Sequence, residues 1–262
     1  MATNIENGLT SDSGADAFIT SDLIINGAVI WVDSVGGSAG GAGTFEDPVD
    51  DLAQAIANAT ADNGDVIVIK SGHTETLTGN VSISKAGLRI FGLGTGASAP
   101  NFLCNAAIDL IGIDAESVEV NNLYFLAGTT SANTARINVA AAGAKIKNCT
   151  FLCGAQDADT ITIADAGDYC TIDSCTFTVS ADGPNKGISV EHAGVLGLRI
   201  ENCSFNAASI GWDDAAIYSA VAHLNYVYDT VTLTNGSDII HTAAAKGYVT
   251  GVIAGDECQV TT

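Results

Sequence analysis

Asp213 and Asp214 stand side by side, with His223 nine positions beyond Asp214 and Arg199 ahead of both. Two carboxylates near an imidazole can divide the giving and taking of a proton, which is what cleavage of a glycosidic bond requires. Glu191-His192 and the pair His73 and Glu75 are smaller acid/base sets of the same kind. Asp157 and Asp159, with Asp182 further on, offer hard oxygen ligands of the sort Ca²⁺ takes. Trp212, Tyr218, Tyr226 and Tyr228 supply aromatic faces for a sugar ring or for a subunit contact. Each set has a plainer reading: an exposed acidic turn for Asp213-Asp214, turn residues for the two His/Glu pairs, solvated loops for the three aspartates. On that reading the chain has no catalytic, cofactor-binding or metal-binding residue, and no cofactor is expected.

The elements that position these residues follow from a repeat. Val120-x-Asn122-Leu123-x-Phe125 recurs as Ile146-x-Asn148-Cys149-x-Phe151, Ile172-x-Ser174-Cys175-x-Phe177 and Ile200-x-Asn202-Cys203-x-Phe205, at intervals of 26, 26 and 28 residues (from 120 to 146, 172 and 200). A second alternating run precedes each copy: Ile108-x-Leu110, Ile137-x-Val139, Ile161-x-Ile163 and Ile188-x-Val190. Apolar residues at period two, with Gly, Ala, Asp or Asn between the runs, read as short strands joined by bends. No segment in the repeats has the 3.6-residue rhythm that helical repeat units need. A strand-rich coil of this length, laid on the next so that equivalent positions coincide, is an all-β, single-stranded parallel β-helix.

Stacking gives each column a task. Adjacent strands lie roughly 4.8 Å apart, so Phe125, Phe151, Phe177 and Phe205 are expected in one interior file, with Ile146, Ile172 and Ile200 in another. Asn122, Asn148 and Asn202, with Ser174 in their column, fall where the chain bends; Asn tolerates left-handed backbone there and can bond to its counterpart one coil away. Glu119, Lys145, Thr171 and Arg199 form one outer column, and Asn121, Lys147, Asp173 and Glu201 the next, a pattern that avoids stacked like charges. One further copy is expected at Val227, with Thr232 at the Phe position.

Composition narrows the function. Of 262 residues 47% are hydrophobic and 15% charged, so the chain folds. Thirty acidic residues against nine basic give −21, and no cluster of Lys and Arg marks a nucleic-acid face. Nor is there an apolar run of membrane-spanning length. Seven cysteines is an odd number and no apolar leader follows Met1, so reduced thiols and no export are expected. Cys149, Cys175 and Cys203 share a repeat column as small buried groups.

In chain order, residues 1–28 read as an attachment arm. Residues 29–64 hold a capping strand (Val29 to Val32), a Gly-rich loop and a helix; the β-helix then fills 65–262 with a closing segment at its end. The helix is expected to start at Asp47 as N-cap with Pro48 in its first turn, to present Val49, Leu52, Ala53, Ile56 and Ala59 on one face, and to end at Asn63-Gly64. Laid over the first coil, it covers strand edges that would otherwise recruit other chains.

Pro48 to Ala59, then Gly64-Asp65-Val66-Ile67-Val68-Ile69, Gly72-His73-Thr74-Glu75 and Leu88-Arg89-Ile90-Phe91-Gly92, resemble the opening of right-handed parallel β-helix proteins of the pectate-lyase-like superfamily. The likeness spans about residues 30–240 and implies the fold. That scaffold carries lyases, hydrolases and non-enzymatic virion proteins alike. Its galacturonan hydrolases combine an Asp pair, Gly-His-Gly and Arg-x-Lys; here His223 sits in Ala222-His223-Leu224 and Arg199 precedes the Asp pair. With no convergent catalytic set among its residues the chain is expected to be non-enzymatic, and its resemblance to small bacteriophage virion proteins implies a homotrimeric capsid decoration or head-fibre protein, made in the host cytoplasm and docking on a capsid or other virion protein through its arm. The alternative is a tailspike-like enzyme that degrades polysaccharide, or an adhesin for a host surface glycan.

Overall fold

The computed structural model describes residues 4–5, 8–9, 27–105, 109–126, 133–154, 157–181, 186–207, 212, 214–219, 224–235, 237–241, 246–251, 253–254 and 260–261. From Val66–Ile69 onward the described strands follow one another in a fixed order of three, each pairing, parallel, with the third strand after it. Three walls result. Wall 1 runs from Val29–Val32 and Val66–Ile69 through Arg89–Gly92, Glu119–Asn121, Lys145–Lys147, Thr171–Asp173 and Arg199–Glu201 to Leu224–Asp229 and Lys246–Thr250. Wall 2 contains Thr74–Leu77, Asn101–Cys104, Tyr124–Leu126, Thr150–Gly154, Thr176–Ala181, Ser204–Asn206, Thr232–Thr234 and Ile253–Ala254. Wall 3 contains Val81–Ile83, Ile111–Ile113, Asn133–Val139, Asp157–Ile163, Lys186–Val190, Ala215–Ser219, Ile239–His241 and Val260–Thr261. The chain is an all-β, right-handed parallel β-helix. Walls 2 and 3 each hold eight described strands, so the coils continue past both ends of the repeated phrase, where its Asn and Phe are missing.

The interior is a set of files. Phe102, Phe125, Phe151, Phe177 and Phe205 are fully buried, with successive ring centroids 5.8, 5.0, 4.8 and 4.5 Å apart and near-parallel planes. Centroids that close are within the range where offset aromatic pairs attract beyond simple burial. Phe102 extends the expected file by one coil, and Trp212 ends it edge-on at 6.3 Å. Ile146, Ile172 and Ile200 form the second file, which continues back through Val120, Ile90 and Ile67 to Ile30.

The bends repeat for the reason the sequence gives. Asn122, Asn148, Ser174 and Asn202 all have φ between 52° and 56°, the left-handed region in which Asn is well tolerated. Thr230 and Asn235 take the same conformation further along. The side-chain bond is offset from the expected one: Asn148 Nδ2 donates to Asn121 Oδ1 at 3.0 Å and Asn202 Nδ2 to Asp173 Oδ1 at 2.9 Å. The partner is therefore the residue before the counterpart in the coil below, because the left-handed bend turns the side chain back along its own strand. Both outer columns of wall 1 stack the residues read from the sequence, but like charges are not avoided throughout: Asp173 lies against Glu201, and Glu201 against Asp229.

Three expectations are corrected. Ile200 pairs with Tyr228 and Phe205 with Leu233, not with Val227 and Thr232; a one-residue slip exchanges inside for outside, and Leu233 keeps the apolar file intact. Ile137 pairs with Ile111, so the strand is Ile111–Ile113 instead of Ile108 to Leu110. The helix is also shorter, spanning Leu52–Asn58 with Asp51 as N-cap accepting from Gln54 N–H. Val49 is lost to it because Val49 bridges Val32: its N–H donates to Trp31 O and its carbonyl accepts from Asp33 N–H. Asp47 instead caps a turn by accepting from Ala42 N–H. The buried helix residues are Leu52, Ala55 and Ile56, while Ala53 faces out. The helix still packs on the first strands of walls 1 and 3 and covers that end. The strand Val29–Val32 belongs to wall 1 itself, paired with Val66–Ile69. The arm, residues 1–28, lies mostly outside the described residues; within it Asn4–Ile5 pairs antiparallel with Gly8–Leu9.

Candidate functional site

His73 and Glu75 are brought together where the helix meets the first coil. Glu75 is in register with Phe102, so it occupies the first position of the phenylalanine file and points to the capped end. His73 is buried, with its ring 5.6 Å from that of Phe102. Its Nδ1 accepts from Ser34 N–H at 3.0 Å, which leaves the proton on Nε2, and Nε2 donates to Glu75 Oε2 at 3.3 Å. The same Oε2 accepts from Leu52 N–H at 3.1 Å, at the helix start. These are not turn residues, as the spacing suggested. They form a clasp in which a partly buried carboxylate is satisfied by a buried imidazole and by one of the helix's unpaired N–H groups.

A second clasp lies close by. Asp65 accepts from Ala28 N–H and Thr60 N–H, both at 2.7 Å, and from Asn63 Nδ2 at 2.8 Å. Burial acts to raise its pKa, but these donors prevail and hold the carboxyl below the ordinary value. Gly27 packs against Asp65 so closely that a Cβ there would lie 2.1 Å from its Oδ1.

The outer side of wall 3 gathers the remaining ionisable groups. Asp159 and Lys186 are register partners on adjacent strands, and Lys186 Nζ lies 3.4 Å from Asp159 Oδ1 and 3.7 Å from Asp214 Oδ2. The ammonium also sits 5.1 Å from the centroid of the Tyr218 ring. Burial pushes the Asp159 carboxyl up, Asp214 adds to the rise, and Lys186 and Ser189 oppose it. Glu191 is likewise raised, by burial first and then by Asp159, with which it hydrogen-bonds, and by Asp109. Asp109 in turn accepts from Asn138 Nδ2 at 2.9 Å. Two carboxyls whose affinity for protons is raised thus lie beside one ammonium, and a raised carboxyl is the kind of group from which a general acid is made.

The other candidates do not converge on this cluster. Asp213 and His223 lie outside the described residues, as do Asp182 and the side chain of Asp157. Arg199 sits on wall 1, where it pairs with Glu201, while Asp214 precedes a strand of wall 3; the fold separates the two. His192 is exposed and pairs with Asp165 Oδ1 at 2.6 Å. Among the described residues no group of three or more His, Cys, Asp or Glu side chains is disposed to hold a metal ion. Trp212, Tyr226 and Tyr228 are buried, with Trp212 Nε1 donating to Ser237 Oγ at 3.0 Å; of the four aromatics Tyr218 alone faces the outer surface. They serve the core instead of a sugar platform or a subunit contact because the inward alternation of wall 1 claims Tyr226 and Tyr228 and the end of the Phe file claims Trp212.

The five described thiols are buried too. Cys175 Sγ donates to Asp173 O at 3.4 Å and Ile146 O at 3.5 Å, and Cys149 and Cys203 make matching bonds. Burial pushes Cys170 up to about 12; burial and then its neighbours Cys149 and Cys203 push Cys175 well up. Protonated thiols in an apolar interior are poor nucleophiles.

Lys186 is the residue that sequence reading passed over as a centre. The signal was present in the spacing: Asp159 and Lys186 lie one coil apart, so the repeat alone stacks them. Tyr218 and Asp109 carry no such signal, because the coils they belong to begin and end off the repeated phrase.

No family model matches the sequence, and a search of curated proteins finds no match. Among solved structures, the chain is similar to a rhamnogalacturonan lyase (TM-score 0.59, 12% identity, 89% of this chain and 67% of that one). It is also similar to the pectate lyase Pel9A (TM-score 0.54, 14% identity, 91% of this chain and 74% of that one). The likeness defines the class: a parallel β-helix with the pectate-lyase-like fold.

Proposed function

We propose that this chain is a non-enzymatic virion structural protein of a tailed bacteriophage, a homotrimeric capsid decoration or head-fibre protein that attaches through its amino-terminal arm. One observation carries the reading: the polar groups of the capped end and of the bends are spent on holding the coils and the cap together. His73 and Glu75 clasp the helix, Asp65 ties Ala28 to Thr60, and the bend asparagines bond from coil to coil. An uninterrupted file of stacked rings under such ladders makes a stiff rod, which suits a part whose work is shape and attachment. Antibody labelling of intact phage particles that encode the chain tests this. Label distributed over the capsid is expected; label confined to the tail tip, or none on the particle, contradicts it.

A second reading has its own support. The raised carboxyls Asp159 and Glu191 beside Lys186, on the outer wall of a fold shared with a rhamnogalacturonan lyase and a pectate lyase, favour an enzyme acting on a polysaccharide or an adhesin for a host glycan. Incubation with host capsule and pectin-like glycans decides it: shortened chains with the native protein but not with Asp159→Asn would establish cleavage.

A further inference from the structure

The outward side of wall 2 differs from those of the other two walls. Over the seven strands from Thr74–Leu77 to Thr232–Thr234, the two outward positions that all of them share hold only Thr, Ser, Asn, Tyr or Leu. Wall 1 by contrast shows Arg89, Glu119, Lys145 and Asp173, and wall 3 shows Asp159 and Lys186. In the middle of wall 2, Leu103, Leu126 and Leu152 stack in one outward column beside Tyr124, each partly exposed. A leucine column on a solvent side costs hydration that its threonine neighbours avoid.

We infer that the outer face of wall 2 is the surface on which copies of this chain pack, wall 2 against wall 2, with Leu103, Leu126 and Leu152 at the centre. The charge of the molecule selects the occupant. At −21 two copies repel through their ionised walls, and the uncharged wall is where they meet without burying like charges. A cationic partner would be drawn instead to the acidic walls. Six strand spacings of roughly 4.8 Å make the face about 29 Å long. Two residues wide, it buries less than the ~800 Å² per partner of a standard interface. This assignment rests on the self-assembly within the proposed function and not on its virion location, which particle labelling tests separately.

Sedimentation velocity of the full chain over two decades of concentration, at low and high salt, tests the assignment. The native protein assembles, more readily at high salt because screening weakens the mutual repulsion. Leu126→Glu and Thr176→Glu, which put charge on wall 2, each shift the assembly midpoint at least tenfold to higher concentration. Thr171→Glu, on the outer side of wall 1, leaves it unchanged. Circular dichroism checks that the variants are folded, and Thr176→Glu carries the test if Leu126→Glu is not. A native protein that stays monomeric throughout, folded wall 2 variants that assemble like the native chain, or a wall 1 variant that dissociates as readily as they do would each overturn it.

Discussion

Phe151 lies between Phe125 and Phe177 with centroids at 5.0 and 4.8 Å, so its removal leaves a gap with ring faces on both sides. Phe151→Ala is expected to cost about 3–5 kcal/mol, and Phe151→Leu under ~1.5 kcal/mol, measured by urea unfolding. The acid groups give opposite responses to pH. Asp33 and Asp65 are depressed, in each case because hydrogen-bond donors outweigh burial. Their stabilisation is present above the ordinary carboxylate range and disappears as pH falls through the folded values. Asp159 and Glu191 are raised, so the folded chain binds more protons than the unfolded one between the ordinary and the raised values. Stability from this pair is present at low pH and is lost as pH rises through that window. Urea midpoints followed as pH falls from neutral towards the ordinary carboxylate range should show a gain in the native chain that Asp159→Asn with Glu191→Gln reduces. An unchanged gain in the double variant would place its origin elsewhere.

At the scale of the element, the bend and the cap make distinct demands. Asn148 has φ 52° and bonds Asn121. Asn148→Gly keeps the backbone and loses one hydrogen bond, about 0.5–1.5 kcal/mol. Asn148→Val places a β-branched residue in the left-handed region and adds about 1–3 kcal/mol of strain, and thermal unfolding should rank the two in that order. Glu75→Ala leaves Leu52 N–H and the buried His73 Nε2 without their acceptor. Amide exchange over the helix 52–58 is expected to quicken selectively, with Glu75→Gln partly restoring protection. Equal protection in Glu75→Ala would mean that the clasp adds nothing to the cap. The repeat made the bend legible in advance, since four equivalent positions spoke for one another. The clasp was not legible, because Glu75 stands where later coils have Phe, and its role depends on a helix start that pairing of Val49 with Val32 displaced.

For the whole molecule, the parallel β-helix was readable from four short phrases at near-constant intervals, and even the order of charges in the outer columns of wall 1 followed from them. The readable region stopped where the phrase did. Tyr228 and Leu233 replace Ile and Phe, which moved the apparent register by one, and the first coils, built on Val and Ile runs without Asn, left their boundaries open. The candidate site was less legible than the fold. Asp159 was noticed as a possible cation ligand, whereas its partner one coil on, Lys186, shows its role only when strands are stacked. On the proposed function the chain is a building part, a rod whose polar groups tie coil to coil and whose neutral wall meets its own copies. Quantitative mass spectrometry of purified particles tests that claim most directly. The account predicts a stoichiometry on the scale of the major capsid protein, and a handful of trimers per particle, or absence from it, would contradict it.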